Sequence, residues 1–513
     1  MSRYPPVKIM VPRQAPRIGS RDFSGGPNLR DAAPELAFNE GVDAWNVTMD
    51  ERGGFGSRLG YAKVNSTPFT GGVVKNEHYS NILGNLVTQA GADLYLGTTN
   101  TSRKTFTTSA RAVFADFAGK VYAGHPVDGL FSSTDGITWT AVADVDKPAT
   151  CVAMAVWQNR LVVVLANSTR FHWSDLGDGT AWTATSFNNV QEKDDTPLVN
   201  VLSVPGIDVL GRPGLIMCKR ESAYRVNTLS GATAGAYAMI DAQVGTASAI
   251  SAVAIPGGFV TLSEKGIHVG DGVGPLTPVA SRFEPLWSST QIAHDQLDLF
   301  CAGTKNGRVF LSLTRQGGTA NNLALEYHPA QKWIAPRSDA MSCYTTYGLS
   351  SEKLYGGHPT TSGQVYEIES GGTDDGVAIA WRFQTRWFEP ERGMKAMLQR
   401  IRLAGRGTGT LTVRTDYSTA GGIDIPVSLV TNSSVTYDSG LTYDSGVLYA
   451  MVAGQYFQDV FPGVACKAFS LKFSGSSSTT TSGQQLLGAG TSPVLGAFAL
   501  YGLDAFSDPL GLV

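Results

Sequence analysis

The sequence predicts an all-β protein: a six- or seven-bladed β-propeller with an extended N-terminal arm before it and a C-terminal β-sandwich after it. Three observations carry this expectation. Gly supplies 59 of the 513 residues, well above its usual share of about 7%, and glycine enters φ > 0 without the steric penalty that tight turns impose on other residues. In the middle of the chain, short alternating apolar stretches meet at Gly, Asn or Asp turns, in units recurring about every 30–45 residues, the spacing of propeller blades. Apolar spacing of the helical kind is not sustained beyond two turns anywhere.

Residues 1–65 read as an arm with entry strands. Its first thirty positions are rich in Pro, Gly and Arg, with Arg3, Lys8, Arg13, Arg17, Arg21 and Arg30 facing the single acid Asp22. A segment this polar orders only against another surface, so Arg13, Arg17 and Arg21 are expected to dock on a neighbouring subunit. Residues 66–374 carry the blade pattern, in stretches such as KVYAGHPVDGLFSSTDGITWTAV, GGFVTLSEKGIHVGDG and KLYGGHPTTSGQVYEIES. A blade cannot bury both faces alone, so blades stack radially and close on themselves. Residues 375–513 read as a sandwich, from AWRFQTRWFEP and LQRIRLAGRGTGTLTVRTDY to the return strands KAFSLKFSG and GAFALYGLDAF.

Bulk properties bound the function. A chain of 513 residues is too long for one core, which implies two or three folding units. Hydrophobic residues at 42% argue against disorder. Charged residues at 16%, against a usual level of about 25%, suit faces covered by neighbours. A net charge of −3 and a pI near 6.2 give no global attraction to nucleic acid. The N-terminus has no apolar leader. The best membrane candidate, CVAMAVWQNRLVVVLAN, is broken by Gln158-Asn159-Arg160 and reads as two strands and a turn.

Three stretches resemble a known family. GGPNLRDAAPELAFNEGVDAWNVTMDERGGFGSRLGY, residues 25–61, is similar to the opening segment of many phage tail and head–tail proteins: a Gly-Gly-x-Asn start, an Asn-Val strand and an Arg-Gly…Arg-x-Gly-Tyr close. Residues 160–248 resemble the propeller of tail-hub, or packaged-DNA-stabilisation, proteins of short-tailed phages. ALEYHPAQKWIA through KLYGGHPTTSGQVYEIESG to TRWFEP resembles the propeller-to-sandwich junction of such hubs. The match covers most of residues 25–415 and leaves 420–513 unmatched. The resemblance implies a non-enzymatic virion protein, assembled in the host cytoplasm. It would form a homo-oligomeric ring, commonly a hexamer, beneath the portal and adaptor. That ring would extend the channel for packaged double-stranded DNA and carry fibres or spikes.

Chemistry is read against that background. The run 382–414 holds Arg382, Arg386, Arg392, Lys395, Arg400, Arg402, Arg406 and Arg414, opposed only by Glu389 and Glu391. On alternating strands the outward set makes a solvated or subunit-facing stripe; the competing expectation is contact with DNA phosphates. Ser133–Trp139 resembles the Asp-box turn, in which Asp caps its own turn and Trp packs between strands. Asp175 and Asp178 in SDLGDG read as a hairpin turn rather than a glycosidase pair. Trp173, Trp182 and Trp333 would line glycan pockets in an alternative, receptor- or glycan-binding tail-tip protein. The five cysteines form no C-x-x-C and the seven histidines no HExxH, so no metal, cofactor or catalytic residue is assigned. The repeated YDSG at 437–446 and the Gly405–Gly409 run read as turns rather than as calcium or nucleotide loops.

Overall fold

A computed structural model describes residues 17–20, 22–49, 53–191, 194–206, 214–347, 353–389, 395–416, 423–429, 456–476 and 499–509. Almost all the regular structure is β, with two short 3-10 turns, Ser281–Trp287 and His294–Leu299. The fold is propeller-like. Six four-stranded antiparallel meanders follow one another along the chain, and a larger sheet comes seventh. Their first strands are Val74–Ser80, Val113–Phe117, Ala153–Trp157, Asn200–Val204, Ala252–Ile255, Cys301–Lys305 and Tyr344–Tyr347. Each first strand touches the next, and the seventh touches the first, so these strands close a circle.

Local sequence explains the meanders. First and second strands are joined by two-residue turns with both residues at positive φ: Ala118-Gly119, Gln158-Asn159 and Asn306-Gly307. Such primed turns match the twist of the strands they join. The apolar stretch interrupted by Gln158-Asn159 is therefore two strands, Ala153–Trp157 and Arg160–Val164, as its sequence suggests. Strand interiors such as Leu161 to Val164 are buried on both faces, because each sheet packs between two others.

The seventh sheet is closed by the beginning of the chain. Strand Tyr61–Lys63 pairs antiparallel with Val365–Ile368, Tyr61 opposite Ile368 and Lys63 opposite Tyr366. The circle is thus held by hydrogen bonds between residues about 300 positions apart in sequence.

A twelve-stranded sheet makes the second unit. Its spine is the strand Ala396–Thr415. The first half of the spine pairs with Ala499–Pro509, Tyr456–Val460 and Val464–Cys466; the second half pairs with Ile423–Leu429 and Phe469–Ser476. Strands Gly26–Pro27, Glu40–Trp45, Val47–Met49 and Phe55–Ser57 join the same sheet. Phe23, Phe55, Phe383 and Phe473 pack in its core, mostly edge to face, with Ile401, Leu403 and Leu471. The segment read as an arm with entry strands thus contributes to both units: strands Arg17–Ser20, Gly26–Pro27, Glu40–Trp45, Val47–Met49 and Phe55–Ser57 join the second, and Tyr61–Lys63 joins the seventh sheet. A polar sequence can do this because Phe23, Val47, Met49 and Phe55 reach the core, while Leu29 and Phe38 stay exposed.

Candidate functional site

The first strands of the seven sheets begin at one end of the circle, where residues just before or at their starts line a cavity of about 850 Å³. Lys75, Arg111, Val152, Val199, Ala249, Leu299 and Ser342 each come from a different sheet. Its charged wall is built from Lys75, Arg111, Arg220, Glu221, Asp194 and Asp298. Arg111 is held by backbone: Nε donates to Lys75 O at 3.0 Å and Nη1 to Asp298 O at 2.8 Å. Arg220 donates to Ala247 O at 2.9 Å and to Asp298 Oδ1 at 2.6 Å. Asp194 is occupied by Lys219, whose Nζ lies 2.9 Å from its Oδ1. Lys75 has no carboxylate partner among the described residues; burial, then repulsion from Arg111, lowers its pKa from the ordinary lysine value.

A second concentration of charge lies buried where the two units meet. Arg337 donates to Asp339 at 2.9 and 2.6 Å, to Glu326 at 2.5 Å and to Glu369 at 3.1 Å. Arg308 bonds Glu326 at 2.9 Å and also grips Glu369. Arg58, from the N-terminal segment, reaches Asp374 at 2.6 Å and Asp339 at 3.6 Å. Thr48 Oγ1 donates to Glu326 at 2.7 Å. Burial alone would raise the Glu326 carboxyl, but Arg308 and Arg337 override it and hold it well below the usual carboxylate range. Lys305 Nζ donates to the Ile368 carbonyl at 2.8 Å, and His328 Nε2 lies 2.8 Å from Glu326 Oε1, so four Arg and Lys cations stand among four carboxylates with one histidine beside them.

This network accounts for the Arg-x-Gly-Tyr close at Arg58–Tyr61. Arg58 also takes Asn46 Oδ1 at 2.9 Å and Ser338 Oγ at 3.0 Å. Gly60 passes so close to Thr373 that an added Cβ would lie 1.9 Å from its carbonyl oxygen. Sequence reading noticed the motif but missed its partners, because Ser338 and Asp374 lie 280 and 316 positions from Arg58.

The basic run is dispersed. Arg382 is bound to Asp43 at 2.5 Å and lies over Trp45. Arg386 donates to the carbonyls of Pro34, at 2.9 Å, and Leu36, and lies over Phe38. Arg400 and Arg402 share an outer face opposite buried Ile401 and Leu403; Arg402 clasps Asp459 at 2.9 and 3.0 Å. Arg414 donates to Gln384 at 3.0 Å. Lys395 is exposed just before its strand. Arg392, Arg13, Arg21 and the repeat at 437–446 lie outside the described residues. Arg17 opens the strand Arg17–Ser20, which pairs with Leu503–Phe506 of the same chain.

The Asp-box reading gains a second copy. Asp135 Oδ1 accepts from Ile137 N and Thr138 N at 2.8 Å, and Trp139 Nε1 donates to Gly136 O at 3.2 Å. In the next sheet Asp178 Oδ1 accepts from Thr180 N at 2.8 Å, and Trp182 Nε1 donates to Gly179 O at 3.1 Å. The shared signal is Asp-Gly-x-x-Trp, at 135–139 and again at 178–182. Asp175 and Asp178 bridge each other's backbone in that turn. Trp173, Trp182 and Trp333 are 5%, 4% and 1% exposed, so they fill cores and line no glycan pocket. The five cysteines are free and buried. Burial lowers the pKa of His125, His172 (to about 4), His268 and His358, which favours their neutral forms. Among the described residues no three His, Cys, Asp or Glu side chains stand together as metal ligands.

No protein-family model and no curated protein matches the sequence. Among solved structures, the chain is similar to the computationally designed Ika8 protein at 9% identity and a TM-score of 0.36, covering 60% of this chain and 100% of that one. It is similar to YCF48 bound to D1 peptide at 10% identity and a TM-score of 0.38, covering 59% and 95%.

Proposed function

We propose that this chain is a non-enzymatic, ring-forming virion subunit of a bacteriophage tail hub or nozzle, a seven-bladed propeller carrying a two-layered sandwich. The observation that carries the reading is the conduct of residues 25–61, the segment similar to phage tail and head–tail proteins. These residues rivet the two units, through Arg58, Asn46 and Thr48, and their continuation at Tyr61–Lys63 closes the circle. A subunit that must carry load along a channel needs this kind of rigid, closed body with only short edges, whose loops vary without disturbing the core.

In this reading copies associate laterally, six to a ring, under the adaptor and portal, and fibres or spikes attach outside. The stripe of Lys395, Arg400 and Arg402 faces a neighbouring subunit or the DNA lumen. Closed symmetry makes the channel, and a change at its narrowest loops on adsorption releases the DNA. The glycan-binding alternative loses the tryptophans it would have used. Electron microscopy of the purified protein and of the particle tests the proposal: rings are expected, and a protein that stays monomeric at high concentration with no ring in the virion overturns it.

A further inference from the structure

We propose that the axial cavity of the seven sheets is a binding site for a small oxyanion, a carboxylate or a phosphate, seated between Lys75 and the guanidinium groups of Arg111 and Arg220. Lys75 and Arg111 come from neighbouring sheets and stand side by side at the wall, like charges that repel. Arg111 is oriented by two backbone carbonyls, so its position is fixed; among the described residues no carboxylate bonds its guanidinium, and Asp298 acts on it only at longer range. Arg220 shares Asp298, whose side chain is 81% exposed and so shields it weakly. With Lys219 answering Asp194, the wall holds Lys75, Arg111 and Arg220 against Asp298 and Glu221, an excess of one positive charge.

Two half-buried cations without a carboxylate between them gain most from an anion placed there, because apolar neighbours strengthen the attraction. Val152, Val199 and Leu299 supply such neighbours. The volume, about 850 Å³, falls in the range of about 300–1,000 Å³ usual for small-molecule sites. The lowered lysine pKa accords with a cation waiting for a counter-charge. The wall is assembled from every sheet, so the site is rigid before the ligand arrives. This site belongs to the propeller body and stands whether or not the chain builds a tail.

The test uses the full chain in low salt, with inorganic phosphate and citrate as calorimetric titrants. Saturable binding is expected, with Lys75→Met weakening it at least about tenfold. Lys75 makes no side-chain hydrogen bond among the described residues, so this variant should fold. Without anion its thermal midpoint should equal or exceed that of the parent, whereas phosphate or citrate should raise only the parent's. Binding of citrate alone marks a carboxylate ligand, and of phosphate alone a phosphate ligand. In parallel, amine labelling of Lys75 should be suppressed by whichever anion binds. The proposal fails if neither anion saturates the parent, or if Lys75→Met binds as tightly.

Discussion

Arg337 gives the sharpest test of how the two units are joined. Its guanidinium is fully buried and bonds three carboxylates, those of Asp339, Glu326 and Glu369. Arg337→Met keeps most of the volume and removes one of four balancing cations. Summing its four bonds at about 1.5–3 kcal/mol each would overstate the loss, because Glu326 and Glu369 keep Arg308 and Asp339 keeps Arg58. What remains is one uncompensated buried charge, a cost of about 3–5 kcal/mol. Native-state hydrogen exchange of strand Trp333–Arg337 reads this directly. Protection there should fall by about two to four orders of magnitude, at 1.36 kcal/mol per decade. Adding Asp339→Asn restores charge balance, so the double variant should recover part of the loss. A single variant within about 1 kcal/mol of the parent would refute the reasoning, since it would place the network in a wetter environment than its burial implies.

Two further perturbations act elsewhere. Glu77 is 4% exposed, neither carboxyl oxygen has a hydrogen-bond partner among the described residues, and the hydroxyl of Thr88 directly opposite is equally unpaired. Burial pushes its carboxyl well above the usual range. The folded chain therefore keeps a proton that the unfolded chain releases near pH 4.3. Its stability should fall as pH rises from there through the folded pKa, by up to about 1.4 kcal/mol per pH unit. Glu77→Gln removes that slope, so in denaturant titrations the variant's advantage should grow with pH; parallel curves would contradict this. Gly60→Ala drives a methyl into a backbone carbonyl that cannot step aside. It should cost more than the usual ~1–3 kcal/mol of overpacking, seen as lost soluble yield and fast exchange in Tyr61–Lys63.

The meanders were legible in the sequence because their signals are local. Asn306-Gly307 and Gln158-Asn159 announce turns, and alternation announces the strands that flank them. The Asp-Gly-x-x-Trp pair could also have been read as one unit of a repeat, since its two copies occupy the same place in successive sheets. The basic run 382–414 was legible as a cluster, whereas the intrachain partners of Arg382 and Arg386 were not. Asp43, Pro34 and Leu36, which take up Arg382 and Arg386, lie about 340–350 positions away. The pairing of Arg17–Ser20 was hidden for the same reason: its partner strand, Ala499–Pro509, sits at the other end of the chain.

By itself the sequence determined an all-β chain of repeated antiparallel units, for turn chemistry and period-two burial act between residues a few positions apart. Only the tertiary structure decided that residues 61–63 complete the last sheet and that 26–57 join the C-terminal strands. It also brought four cations and four carboxylates into one dry interior, and set Lys75 beside Arg111. Those outcomes depend on which distant strands meet, and that is fixed by burying the whole apolar surface at once rather than by any neighbourhood of the chain.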